Sequence, residues 1–164
     1  MSHSLKAILT SLLIPLLIVG CASSPERPET PRQALFGLSQ RAASRLIEMS
    51  PLPHPPSDQV LLLSISEVAP GFGFGTQRVQ ESLMRALLGL SNGPQVLDWA
   101  GTIGEGAKDN QWRLDSRLEA DGPRLTLSDR TLLPYRLSLT LRRPGSDAPL
   151  WAHEIQGAFD ATAL

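Results

Sequence analysis

Several residue types that often support a fold or a reaction are scarce in this chain of 164 residues. Cysteine occurs once, at Cys21, which excludes an intramolecular disulfide and any site built from paired cysteines. Lysine occurs only at Lys6 and Lys108, and the 15 basic residues are nearly balanced by 16 acidic ones. Because no excess of positive charge is present, the composition selects neither nucleic acid nor an anionic membrane surface as a partner.

The usual components of hydrolytic and metal sites are also few. One of the three histidines lies near the N-terminus, His54 lies in a proline-rich loop, and His153 shares a predicted strand face with apolar residues, which favours an interior histidine over a catalytic base. The carboxylates Glu67, Asp98 and Glu154 are not paired in a way that implies acid and base roles, and no Cys or His pair has metal-ligand spacing. We therefore predict no enzyme activity, no metal, no cofactor and no small-molecule substrate.

The longest apolar run lies at the N-terminus, where about 14 residues from Ala7 to Gly20 follow Lys6. This length suits the apolar region of a signal peptide and is short of the roughly 20 residues of a membrane-spanning helix. Residues 18–21, Ile-Val-Gly-Cys, resemble the lipobox of bacterial lipoproteins. The resemblance implies that residues 1–20 are a cleaved signal peptide and that Cys21 carries lipid. The alternative is an ordinary signal peptide, or a hydrophobic tail, that ends near a cysteine.

The residues after the cysteine predict where the protein is held. In bacterial lipoproteins the residue after the cysteine influences sorting, and Ala22 in place of aspartate implies an outer-membrane anchor that faces the periplasm. Residues 21–31 are predicted to form the lipidated cysteine and a polar tether with prolines at positions 25, 28 and 31. Such a tether reaches roughly 30 to 35 Å, so the domain is expected to stay near its membrane.

Residues 32–164 are predicted to form a single α/β domain, since their number is that of one ordinary domain. Apolar residues at helical spacing predict an amphipathic helix over residues 32–49, which a proline-rich segment ends. The continuous apolar run Val60–Ile65 predicts a buried strand, and a second helix follows from Thr76 to the stop at Asn92-Gly93-Pro94. With a short strand over residues 95–99, these elements form a βαβ unit with parallel strands.

The hydrophobic period changes to two in the last third of the chain. Alternating apolar and polar residues predict strands over residues 112–120, 135–142 and 150–156, which together form an antiparallel meander. The glycine-rich residues 100–110 are predicted to be a loop. The expected fold class is α+β, with one mixed sheet made of the βαβ unit and the meander and with helices packed on one face.

The pattern of the last two strands resembles a known group of envelope proteins. Tyr135, Leu137, Leu139 and Leu141, a turn containing Gly145, and then Trp151 and Glu154 resemble the strand-turn-strand ending of periplasmic lipoproteins of the LpoB, CsgG and TolB N-terminal type. Those folds also begin with a helix, a strand, an amphipathic helix and a short strand. Among them, the LpoB type is nearest in size. It is a lipoprotein activator that docks on a bifunctional peptidoglycan synthase, a class A penicillin-binding protein, and it has a longer tether than this chain.

Two groups of residues are candidates for contact with a partner. The first is Phe72 and Phe74, whose glycine-rich loop could present two aromatic anchors, although both rings could equally fold back onto the core. This loop follows a strand and opens a helix, but its G-x-G-x-G spacing and its phenylalanines argue against a dinucleotide site. The second is the predicted exposed strand face of Arg136, Arg142 and Arg143, because arginine suits directed contacts to a protein.

These observations lead to one leading hypothesis and one alternative. The leading hypothesis is a non-catalytic outer-membrane lipoprotein that binds and regulates an envelope protein, most simply a peptidoglycan synthase of the penicillin-binding protein class, as the LpoB resemblance implies. The alternative is an accessory or structural subunit of an outer-membrane secretion or assembly complex, as the CsgG resemblance implies. The second hypothesis predicts a stable homo-oligomer, whereas the first predicts a monomer.

Overall fold

The computed structural model describes residues 31–99, 101 and 108–163. The predicted signal peptide, Cys21, nearly all of the tether and most of the predicted loop over residues 100–110 lie outside the described residues. Among the described residues there are two helices and seven strands: α1 (Pro31–Met49), β1 (Val60–Leu63), β2 (Glu67–Val68), α2 (Thr76–Leu88), β3 (Gln95–Asp98), β4 (Gln111–Ala120), β5 (Leu125–Thr126), β6 (Thr131–Arg142) and β7 (Pro149–Asp160).

All seven strands belong to one mixed sheet. Strands β3, β1, β4, β6 and β7 lie side by side in this order, β2 pairs with β4, and β5 pairs with β6. Strand β1 is parallel to both β3 and β4, whereas β4, β6 and β7 form an antiparallel meander. The predicted α+β class, with a βαβ unit followed by a C-terminal meander, is confirmed.

The strand predicted over residues 60–65 is interrupted by an irregularity. Leu63 pairs with Leu114, and Glu67 pairs with Arg117. Between these two pairs the chain has three residues, 64–66, whereas β4 has only two, 115 and 116. The additional residue forms a β-bulge, and the chain then resumes pairing with β4 as β2. Ser64 and Ser66 lie in this bulge, and the Ser66 hydroxyl is hydrogen-bonded to the Ser116 hydroxyl at 2.8 Å. The sequence pattern did not predict this interruption because an apolar run carries no signal for register.

Strand β6 begins before Pro134, which therefore lies inside a paired strand. The carbonyl of Pro134 accepts a hydrogen bond from the amide of Asp121, which lies in the turn between β4 and β5. In a strand, the N–H and C=O of one residue point to the same side. The N–H that proline lacks would therefore point at this turn and not at a neighbouring strand, so the sheet tolerates the proline.

The two helices cover one face of the sheet, which is called the covered face below. They contact one another through a hydrogen bond from the Ser39 hydroxyl to the Ser82 hydroxyl, 3.0 Å long and buried. Helix α2 ends at Leu88, earlier than the predicted stop at Asn92: the amide of Gly89 still bonds to the Arg85 carbonyl, whereas the amide of Leu90 bonds to the Leu87 carbonyl, only three residues back. The covered face of the sheet contributes the largest part of the core: Leu61, Leu63, Val96, Trp112, Leu114, Leu118, Leu133, Tyr135, Leu137, Leu139, Leu141 and Phe159.

Candidate interaction surfaces

The predicted lipid attachment site, Cys21, lies outside the described residues and stays a prediction. Helix α1 begins at Pro31, the last residue of the predicted tether. Among the described residues, neither helix combines the length and the apolar character that crossing a bilayer requires.

The two phenylalanines of the loop between β2 and α2 are in the core. Phe72 is 1% exposed and Phe74 is 8% exposed. Their ring centroids lie 5.8 Å apart, and the ring of Phe159 stands edge-on to both at 6.0 and 5.4 Å. Gly71 and Gly73 have positive φ angles of 105° and 74°, which lets the loop turn both rings inward. The prediction that Phe72 and Phe74 contact a partner is therefore corrected, since their rings are already buried against Phe159.

Tyr135 extends this aromatic cluster toward α1. Its ring centroid lies 4.4 Å from that of Phe159, and its hydroxyl accepts a hydrogen bond from the Arg41 guanidinium. The ring covers Gly157 on β7, where an added Cβ would lie 2.5 Å from the Tyr135 hydroxyl oxygen. A larger residue at position 157 would therefore force the buried Tyr135 ring to move. Burial raises the pKa of Tyr135 above its ordinary value of 10.0, and the positive charge of Arg41 partly opposes this rise.

Arg136 and Arg142 lie on the opposite face of the sheet, which neither of the two described helices covers and which is called the open face below. The Arg142 Nε donates to Asp115 Oδ2 at 2.9 Å. The Arg136 guanidinium donates to Asp121 Oδ1, and its Nε lies 3.7 Å from Glu154 Oε2. The side chains of Arg142 and Arg136 are only 23% and 39% exposed. Both predicted contact residues are thus on an accessible face, but each is paired with carboxylates of the same chain.

Arg143 does not share the open face with the other two arginines. Its guanidinium carbon lies 3.6 Å from the centroid of the Trp112 ring, and its Nη1 donates to the Asp109 carbonyl. Trp112 belongs to the covered face, is 4% exposed, and donates its Nε1 to Gln59 Oε1 at 3.0 Å. The predicted single face of three arginines is therefore corrected. Side chains alternate along β6, so the residue after Arg142 points to the other side.

The residues considered for catalysis do not form a common site. His54 is exposed in the loop before β1, whereas His153 is half-buried on β7 with its ring stacked on Trp151 at 5.6 Å. Asp98 accepts a hydrogen bond from Gln80 at 2.9 Å on the surface. Within the described ranges, no three His, Cys, Asp or Glu side chains are grouped so that they could hold a metal ion.

One surface feature was not predicted from the sequence, a groove between α1 and β7 with a volume of about 890 Å³. Its walls include Gln40, Ser44 and Arg45 from α1, and His153 and Ile155 from β7. The groove lies where β7 forms an edge of the sheet beside α1; β7 itself continues to Asp160, beyond the predicted end at residue 156. The alternation of residues 150–156 was visible in the sequence, but the position of β7 at an edge was not.

Comparison with known proteins gives similarities of structure only. No family model matches the chain, and no curated protein matches it. The fold is similar to the LpoB C-terminal domain of Salmonella enterica (13% identity, TM-score 0.48, 77% of this chain and 98% of that chain). It is also similar to the LpoB C-terminal domain of Escherichia coli (12%, 0.49, 75% and 97%) and to lipoprotein GNA1162 of Neisseria meningitidis (12%, 0.40, 63% and 85%). LpoB domains, which the sequence pattern resembles, are thus among the matched structures. Similarities at this level do not assign an activity or a partner.

Proposed function

We propose that this chain is a non-catalytic lipoprotein that is held in the outer membrane by lipid on Cys21, faces the periplasm, and acts by binding another envelope protein. The observation that carries the proposal is the end of the N-terminal apolar run at the only cysteine of the chain. A second acyl chain makes such an attachment long-lived, since each buried methylene contributes about 0.8 kcal/mol and one chain alone binds only marginally.

The exposed parts of the domain support action by contact. The open face carries charged side chains of both signs, including Arg117, Glu119, Arg136 and Glu154, and all four are more than one-third exposed. Charges arranged in this way give specificity and register to a protein contact more than they give affinity. The open face is therefore the proposed binding surface, with Arg136 and Arg142 exchanging intramolecular carboxylates for those of the partner.

The finer proposal is that the partner is a peptidoglycan synthase of the class A penicillin-binding protein type. It is supported by the resemblance of the residue pattern over Tyr135–Leu141, Trp151 and Glu154 to activators of the LpoB type. The tether sets a condition on this partner, because residues 22–31 reach roughly 30 to 35 Å. The docking site on the synthase must lie close enough to the outer membrane for a domain on this tether to contact it.

The test is crosslinking in intact cells with a photoreactive residue in place of Arg136, followed by identification of the adduct and by a synthase assay with the purified proteins. We expect an adduct with the synthase and faster glycan polymerisation when the lipoprotein is added. The matched control carries the photoreactive residue in place of Gln77, which is exposed on α2 away from the open face.

Two results would contradict parts of the proposal separately. An adduct with a component of a secretion complex, together with a ring-sized native mass, would favour the accessory-subunit alternative. Equal adducts from positions 136 and 77 would show that the open face is not the binding surface. A Cys21→Ser variant that still stimulates the purified synthase but no longer acts in cells would separate the anchor from the contact.

A further inference from the structure

The backbone of β7 has hydrogen-bonding groups that the described sheet does not use. Because the Pro134 carbonyl bonds to Asp121, the even-numbered residues of β6 direct their backbone groups toward β4 and the odd-numbered ones toward β7. The pairs Tyr135 with Gly157 and Leu137 with Ile155 are therefore hydrogen-bonded pairs. It follows that the even-numbered residues of β7 direct N–H and C=O away from the sheet, and four of them lie in its regular part: Ala152, Glu154, Gln156 and Ala158.

This edge lacks the features with which natural sheets usually prevent edge pairing. Edges are commonly short, interrupted by proline, or rich in lysine. Strand β3, the other edge, is only 4 residues long and directly follows Pro94, whereas β7 has 12 residues. The β6–β7 register is irregular only near Leu141 and Arg142, so the stretch from residue 152 to 158 is regular. Glu154 is the single charged residue among the four that direct their backbone groups outward.

We propose that β7 pairs antiparallel with β7 of a second copy of this chain, around a two-fold axis at Ile155. This register opposes Ala152 to Ala158 of the second copy and Glu154 to Gln156 of the second copy, so it uses all four outward-directed residues and opposes no like charges. A register centred one residue earlier would place two copies of Glu154 face to face, which is unfavourable.

The groove beside α1 gives the added strand room on the covered side of the sheet. Trp151, His153 and Ile155 are half-exposed there because β7 is an edge of the described sheet. In the proposed register, Ile155 opposes Ile155 of the second copy, and His153 lies opposite Gly157 of that copy. The α1 wall of the groove carries charges of both signs, from Arg41, Arg45 and Glu48. A two-fold interface requires such a surface, because the same patch must complement itself.

The register is tested with engineered cysteines in the full-length protein in isolated membranes, oxidised with copper phenanthroline. Odd-numbered residues of the paired edges would form non-hydrogen-bonded pairs with Cα atoms about 4.5 Å apart, which suits a disulfide. We expect Ile155→Cys to give a disulfide-linked dimer. The matched control is Ala152→Cys, since the two copies of residue 152 would lie six residues, or about 20 Å, apart along the strands. The dimer yield should be at least about tenfold lower for this control.

A second set of variants tests the backbone pairing itself. In the Ile155→Cys background, Gln156→Pro removes one outward-directed N–H and leaves the bonds to β6 intact, so the crosslink should be lost. Gln156→Ala keeps that N–H and should keep the crosslink. Ala152→Pro provides an independent removal of an outward-directed N–H if Gln156→Pro lowers the melting temperature.

The outcomes separate this inference from the proposed function. Three outcomes would overturn the pairing. They are equal crosslinking of Ile155→Cys and Ala152→Cys, no crosslinking of either variant, and an adduct of Ile155→Cys with a different protein. A crosslinked dimer of the wild-type chain would show a free thiol at Cys21 and would contradict the lipid anchor. In that case the β7 pairing is tested by the same crosslinking of Ile155→Cys and Ala152→Cys in a chain that also carries Cys21→Ser. The inference rests on the described residues and does not require the anchor. It replaces the monomer expected of the leading hypothesis with a pair of copies, which differs in native mass from the ring expected of the accessory-subunit alternative.

Discussion

The covered and open faces of the sheet are built from the same strands and use opposite chemistry. On β4, Trp112, Leu114 and Leu118 point to the covered face and are at most 4% exposed, while Arg117 and Glu119 point to the open face and form an exposed ion pair. Burial of an apolar side chain contributes about 1.5 to 3 kcal/mol, whereas an exposed ion pair contributes about 0 to 1 kcal/mol. Stability therefore depends on the covered face, and the open face is free to serve recognition.

The largest effect is expected for the centre of the aromatic cluster on the covered face. Phe159 is 3% exposed and contacts the rings of Phe72, Phe74 and Tyr135. Replacement Phe159→Ala should lower the free energy of unfolding by about 3 to 5 kcal/mol, because it removes a large ring and leaves a cavity. Urea unfolding followed by tryptophan fluorescence measures the change.

The matched control for Phe159 lies on the same strand. Leu150 is 50% exposed, so Leu150→Ala should change the free energy of unfolding by less than about 1 kcal/mol. A loss below about 1 kcal/mol for Phe159→Ala would show that the cluster, and with it the inward position of the Gly71–Gly75 loop, does not stabilise the fold.

An intermediate effect is expected from Tyr135, whose pKa is raised by burial above 10.0. Above pH 10 the unfolded chain releases the phenolic proton while the folded chain keeps it, so the folded state binds more protons and stability falls as the pH rises. Below pH 10 this contribution is fully present. Tyr135 is the only tyrosine, so tyrosinate absorbance follows this one group in the folded protein.

Two controls define the tyrosine experiment. In concentrated urea the absorbance midpoint should return to the ordinary value, and Tyr135→Phe should remove the alkaline loss of stability. A midpoint at or below pH 10 in the folded protein would contradict the burial of the hydroxyl beside Arg41.

The smallest effect is expected on the open face. Arg117 contacts Glu67 at 3.2 Å and Glu119 at 3.1 Å, and its side chain is 60% exposed. Replacement Arg117→Ala should change the free energy of unfolding by less than about 1 kcal/mol, and the change should shrink in high salt. A loss of more than about 2 kcal/mol that persists in high salt would remove the energetic difference between the two faces.

The fold could be predicted from the sequence where the hydrophobic period is regular. The period of two over residues 112–120 and 135–142 assigned the correct faces to Leu114 and Leu137, and helical spacing placed α1 within one residue of its observed start. The bulge at Ser64 and Ser66 could not be predicted, because it depends on the register of β1 against β4. The pattern within either strand alone does not contain that register.

The candidate contacts were harder to predict than the fold. Glycines beside Phe72 and Phe74 allow either an exposed loop or an inward turn, and the structure shows the inward turn because Phe159 supplies a packing partner nearly 90 residues away. Arg143 follows Arg142 directly, so strand alternation places it on the other side of the sheet, where it stacks on Trp112. The inward turn of the loop depends on a contact between residues distant in sequence, whereas the alternation that separates Arg143 from Arg142 was already present in the sequence.

The most direct measurement for the whole account is the mass of the N-terminal peptide of the protein isolated from its native membrane. The account predicts a peptide that begins at Cys21 and carries diacylglycerol on sulfur together with an acyl group on the new N-terminus. A peptide that begins at Met1, or a Cys21 thiol without lipid in a protein found outside the membrane fraction, would contradict the account.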